Sequence, residues 1–70
     1  MNYKGRLVHE LIDLTEKLTN LNNYINNSKD EKIVDEKEMQ MLVTQQEAMM
    51  TYHLMLTERL INLLGGYENE

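Results

Sequence analysis

The chain contains no cysteine, so disulfides, thiolate zinc sites and thiol nucleophiles are all closed to it, and its redox compartment stays open. Proline, tryptophan and phenylalanine are absent too, and only three glycines occur. No proline therefore interrupts a helix anywhere along the chain. The longest apolar stretches, such as Leu54 to Leu56, fall far short of the ~20 residues a membrane span needs. The opening Met-Asn-Tyr-Lys-Gly-Arg leads into mixed polar and apolar positions, with no apolar core of a signal peptide. A soluble cytoplasmic protein without membrane contact is the expectation. Positive charge is also scarce: seven Lys and Arg stand against twelve Asp and Glu, for a net charge of -5. That balance argues against binding duplex nucleic acid, because a phosphate-backbone binder needs a net-positive face. Seventy residues make one small domain.

What the sequence does have is helical rhythm. Leu7, Leu11, Leu14, Leu18, Leu21 and Ile25 recur at alternating spacings of four and three, which only an α-helix places on one stripe. Val8 and Ile12 widen that stripe, so the first helix, about 3–27, should bury surface against more than one neighbour. Arg6 with Glu10 and Asp13 with Lys17 form favourable i,i+4 pairs on its flanks. Residues 26–35 then lose the period and gather Asn, Ser and Asp, which predicts a turn at about 28–35. Asp35 with Glu38 has capping-box form and places a second helix at about 36–64, ended by Gly65-Gly66, with a frayed tail at 65–70. Its stripe includes Met39, Leu42, Met49, Leu56, Leu60 and Leu63, while Gln46 and His53 take two of the expected core slots. The fold expected is all-α, an antiparallel two-helix hairpin.

Two helices bury a single seam, and a chain of this size without staples sits near zero net stability. Met41, Met50, Leu54 and Met55 add apolar surface outside the main stripe of helix two. A homo-oligomer follows as the expectation, most simply two hairpins in a four-helix bundle, with a higher assembly as the alternative. Five of the six methionines lie between Met39 and Met55, which reads first as adaptable packing and second as a partner-binding groove.

Chemistry is thinly represented. With a turn near residue 31, positions summing to about 62 face one another, which sets His9 near His53 and Glu10 opposite Tyr52. His9 and Asp13 have the i,i+4 spacing of a helical metal site, but Asp stands where a second His is usual, so no metal is expected. The lone serine, Ser28, falls in the expected turn without a base, and no glycine run cradles phosphate. The sequence therefore predicts a non-enzyme with no cofactor. Gln45, Tyr52 and Arg59 recur every seven residues on helix two, and the hairpin brings Arg6 and Lys4 to the same end as Arg59. Arg can hold a phosphate and Tyr can stack a base, as a small nucleotide requires, so Arg6, Gln45, Tyr52 and Arg59 are the candidate ligand-binding residues. The structural alternative pairs Arg59 with Glu10, packs Tyr52 at the rim and gives Gln45 a register-fixing role.

The pattern Arg6-Leu7, Glu10, Leu14, Lys17-Leu18, Leu21 and Tyr24-Ile25, followed by Leu42, Gln45, Met49, Tyr52, Leu56 and Arg59, resembles a family of very short helical-hairpin proteins of bacteriophages, including crAss-like phages. The resemblance spans about residues 3 to 61 and implies origin and shape more than activity. The Met-rich second helix and Asn-rich turn depart from the family pattern. A phage origin suggests, by analogy of fold and origin, an anti-defence protein in the host cytoplasm. Some small phage oligomers sequester cyclic or ADP-ribose-type immune nucleotides, and others block a host nuclease or effector. The leading expectation is a sponge holding a signal nucleotide between subunits through Arg6, Gln45, Tyr52 and Arg59. The alternatives are a protein-binding inhibitor or adaptor and a structural oligomerisation hairpin.

Overall fold

The computed structural model describes residues 3–31 and 34–65, which form two α-helices, α1 (Tyr3–Glu31) and α2 (Glu36–Leu63), with no strand among them. Contacts that join Tyr3 to Arg59 and Asn22 to Gln46 make the pair antiparallel. The expected all-α hairpin is the observed one. Gly66 and the expected tail 67–70 lie outside the described residues, as do Lys32 and Ile33 of the expected turn.

Helix α1 runs four residues beyond its expected end, so Ser28 to Glu31 are helical and the connection is shorter than the predicted eight residues. The reason is tertiary. Leu7, Leu14, Leu21 and Ser28 are spaced by seven, so Ser28 falls in the next slot of the seam, where it is 1% exposed beside the buried Ile25. Burial of Ile25 and Ser28 overrides the weak helix propensity of Asn26, Asn27 and Ser28. Ser28 is thus a seam residue, and its Oγ has no hydrogen-bond partner among the described residues.

Helix α2 begins as its sequence implies. The Asp35 side chain accepts a hydrogen bond from the Glu38 amide at 2.8 Å, and Glu36 and Glu38 place negative charge in the first turn, where it complements the helix dipole. At the other end the Leu64 amide donates back to the Leu60 carbonyl at 3.0 Å. Gly65 then takes φ +80, a left-handed conformation that side-chain-bearing residues rarely adopt.

The core is narrow. Leu7, Leu14 and Leu56 are buried together, with Leu11, Met49 and Leu60 packed against them. Val8 and Ile12, expected to meet further neighbours, are 38% and 61% exposed in the single chain. The molecule measures only 15 Å along its shortest axis, so the helices form a layer one helix thick.

Two substitutions test this seam by chemical denaturation. Leu56→Ala removes a fully buried side chain and should cost roughly 2–5 kcal/mol. Ser28→Ala should instead stabilise by about 1 kcal/mol, since it removes a buried hydroxyl that no group among the described residues satisfies. A lowered midpoint for Ser28→Ala would mean that the hydroxyl has a partner.

Candidate functional site

Polar side chains join the helices along both edges of the leucine seam. On one edge Tyr52 Oη donates to Glu10 Oε2 and Arg59 Nη2 donates to Tyr3 Oη. On the other, Gln46 Nε2 donates to Asn22 Oδ1, and Thr15 Oγ1 lies 2.8 Å from His53 Nε2. The donors and acceptors on each edge repeat every seven residues, because seven residues return a helix to nearly the same face. Gln46 and His53, the two polar residues in core slots, thus both find partners across the hairpin.

The open end of the hairpin concentrates positive charge. Arg6 Cζ lies 5.9 Å and Arg59 Cζ 5.6 Å from the centroid of the Tyr3 ring. Each guanidinium lies over the same aromatic ring, whose face carries the negative part of its quadrupole. All three side chains are exposed, as is Lys4 next to them in sequence. In a chain of net charge -5, this end gathers cations whose hydrogen-bonding capacity is only partly used.

The candidate residues divide. Arg6 and Arg59 come together around Tyr3, and Tyr52 stands one heptad along the same edge, held by Glu10. Gln45 does not join them: it lies fourteen positions from Arg59, about 21 Å along the helix, with its amide 3.9 Å from Met49 Sδ. The register-fixing role considered for Gln45 belongs by position to Gln46, which is part-buried while Gln45 is exposed. Nor does Arg59 pair with Glu10, whose carboxylate takes the Tyr52 hydroxyl while Arg59 takes Tyr3. His53 engages Thr15 in place of the expected approach to His9, and the described residues contain no group of three His, Asp or Glu arranged to hold a metal ion.

Tyr3 is the site residue that sequence reasoning missed. Its signal was available: the register that sets Glu10 opposite Tyr52 also sets position 3 opposite position 59. A second missed feature is an open, largely apolar groove of about 350 Å³ lined by Leu18, Met50, His53, Leu54 and Thr57. No helix of the described residues is long and apolar enough to cross a membrane.

The arginine cluster and the seam pairs should respond differently to truncation. Arg59→Ala removes contacts between exposed groups and should lower stability by no more than about 1 kcal/mol. Gln46→Ala leaves the Asn22 oxygen without its part-buried donor and should cost roughly 1–3 kcal/mol. Thermal melts followed by circular dichroism rank the two, and unfolding of Arg59→Ala would make the cluster a structural clasp.

Comparison with known proteins gives one family. Its model, described as Sequestin, matches residues 1–62. Searches of curated proteins and of solved structures find no match. The matched span takes in α1, α2 as far as Asn62 and every cross-helix pair described above, so the chain belongs to the Sequestin family.

Proposed function

We propose that this chain is a non-enzymatic sequestering protein of phage type, which as a homo-oligomer in the host cytoplasm takes up an immune signal nucleotide, a cyclic nucleotide or an ADP-ribose derivative. The observation that carries this reading is the pair of guanidiniums sharing the Tyr3 ring at the open end of an otherwise acidic hairpin. The family name is compatible with a sequestering role, and the resemblance to short phage hairpins supplies the context.

The chemistry follows from the groups present. Arg6 and Arg59 can each give two parallel N–H donors to phosphate oxygens, in a geometry that lysine does not offer. The rings of Tyr3 and Tyr52, 49% and 45% exposed, provide faces on which a base can stack. A bound phosphate would compete with the tyrosine ring for the guanidiniums, replacing a weak contact between exposed groups with a charge-assisted one. The cluster and Tyr52 suffice for this, without Gln45. Such a protein acts by stoichiometric removal, so it requires affinity and no bond-making machinery.

A second reading, an inhibitor or adaptor bound to a host nuclease or defence effector, draws on the net charge of -5, which can imitate nucleic acid. A thermal-shift panel of cyclic dinucleotides and ADP-ribose derivatives separates the two. A ligand that binds only the folded chain stabilises it by about 2.7 kcal/mol at a hundredfold excess over its Kd, and the midpoint rises with log concentration. Arg59→Ala should abolish the shift while leaving helicity intact. A flat panel ends the nucleotide reading and leaves capture of a host protein as the reading to pursue.

A further inference from the structure

The imidazole of His53 is oriented by a two-step chain of hydrogen bonds. Thr15 Oγ1 has a single hydrogen, which it donates to the Leu11 carbonyl at 2.8 Å. Towards His53 Nε2, also 2.8 Å away, that oxygen can therefore only accept, so Nε2 carries the hydrogen. In the neutral ring the lone pair then sits on Nδ1. A ring whose one nitrogen donates to a fixed oxygen is held in a single tautomer and orientation, which is how metal-ligating histidines are usually held.

The groove beside it supplies a second ligating atom. Leu18, Met50, Leu54 and Thr57 line it together with His53. Met50 stands three residues before His53, so the two side chains leave neighbouring turns with Cβ atoms about 5–6 Å apart. Met50 is 53% exposed, and its three rotatable bonds let the thioether range over the groove. Thr57, the other polar residue of the lining, spends its hydroxyl hydrogen on the His53 carbonyl at 2.9 Å. No carboxylate and no cationic side chain lines the groove. What it offers a metal ion is one imidazole nitrogen and one thioether sulfur.

That pair selects among cations. Mg(II) and Ca(II) require several oxygen ligands, and Zn(II) normally takes four ligands in a closed site. Thioether sulfur favours Cu(I), which accepts few ligands and whose single charge is less costly to bring against apolar walls than a double one. The net charge of -5 draws cations of any kind towards the chain.

We propose that Met50 and His53 form a binding site for the soft monovalent cation Cu(I), with Met50 Sδ and His53 Nδ1 as its ligands and Thr15 as the residue that positions the ring. Met49, four residues before His53, is not part of it, because its sulfur takes the Gln45 amide and its side chain packs against the core. The site stands on the edge away from Arg6 and Arg59 and is independent of the nucleotide reading.

Titration of the full chain with Ag(I), a redox-stable substitute for Cu(I), in chloride-free buffer tests the site, followed by nitrogen-15 NMR of the histidine rings and repeated anaerobically with Cu(I). Saturation at one ion per chain is expected, with the His53 Nδ1 resonance displaced and Nε2 keeping its hydrogen. Thr15→Val should weaken binding by about 10–100-fold, and Met50→Leu, which removes a ligand at an exposed position while conserving volume, by at least as much. Met55→Leu alters an exposed methionine outside the lining and should leave the affinity unchanged. Circular dichroism checks that each variant keeps its helices. Absence of uptake, undiminished affinity in Met50→Leu, or a displacement centred on His9 overturns the proposal, and undiminished affinity in Thr15→Val overturns the positioning role.

Discussion

Two helices laid side by side share one line of contact, and the rest of this molecule answers to that limit. Leu7, Leu14 and Leu56 lie on the line and are sealed from water, whereas apolar residues one position to either side stay largely open. A third helix would have covered them. Without one, burying more surface within a chain of this length means lengthening the seam or adding a second copy. Helix α1 takes the first course by continuing through Ser28, which occupies the seam without contributing apolar surface to it.

Because the leucine stripe repeats every seven residues, leucines alone would allow the helices to slide by a heptad, and something else has to fix the register. The polar pairs do this. Gln46 with Asn22 and His53 with Thr15 sit where apolar residues would pack as well or better, so they add little to stability, but only the observed alignment satisfies both pairs at once. The edge pairs, Tyr52 with Glu10 and Arg59 with Tyr3, repeat the same register at the other flank. One consequence reaches the candidate site: the Tyr3 ring, already beside Arg6 on its own helix, reaches Arg59 only because the register brings the first turn of α1 against the last turns of α2.

Much of this was legible in the sequence, and where it was not the reason is physical. Heptad spacing gave both helices, Asp35 with Glu38 gave the start of α2, and Gly65 marked its end, because each is a local signal read within a few residues. The end of α1 is not legible locally, because Asn26, Asn27 and Ser28 are poor helix formers in isolation and the buried Ile25 and Ser28 hold them helical. Gln45 is a candidate by its seven-residue recurrence with Tyr52 and Arg59, a pattern that identifies an edge without saying which residues meet there. Tyr3 was overlooked because nothing local distinguishes it from any aromatic residue near a terminus. Only the pairing of positions 3 and 59 reveals its role.

The segregation of charge between the two edges is the feature that neither helix shows when read alone. On α1 the line through Val8 and Ile12 is uncharged while the line through Arg6 and Glu10 is not, and on α2 Leu54 and Arg59 divide in the same sense. Antiparallel pairing could have set the uncharged line of one helix beside the charged line of the other. Instead the register sums like with like, producing one face suited to exclude water and one suited to hold ions. Cations packed under apolar groups are costly to desolvate, whereas cations left in water keep their donors accessible. With the apolar stripe and the arginine cluster on opposite edges, a chain of seventy residues keeps its cations in water without breaking its apolar surface.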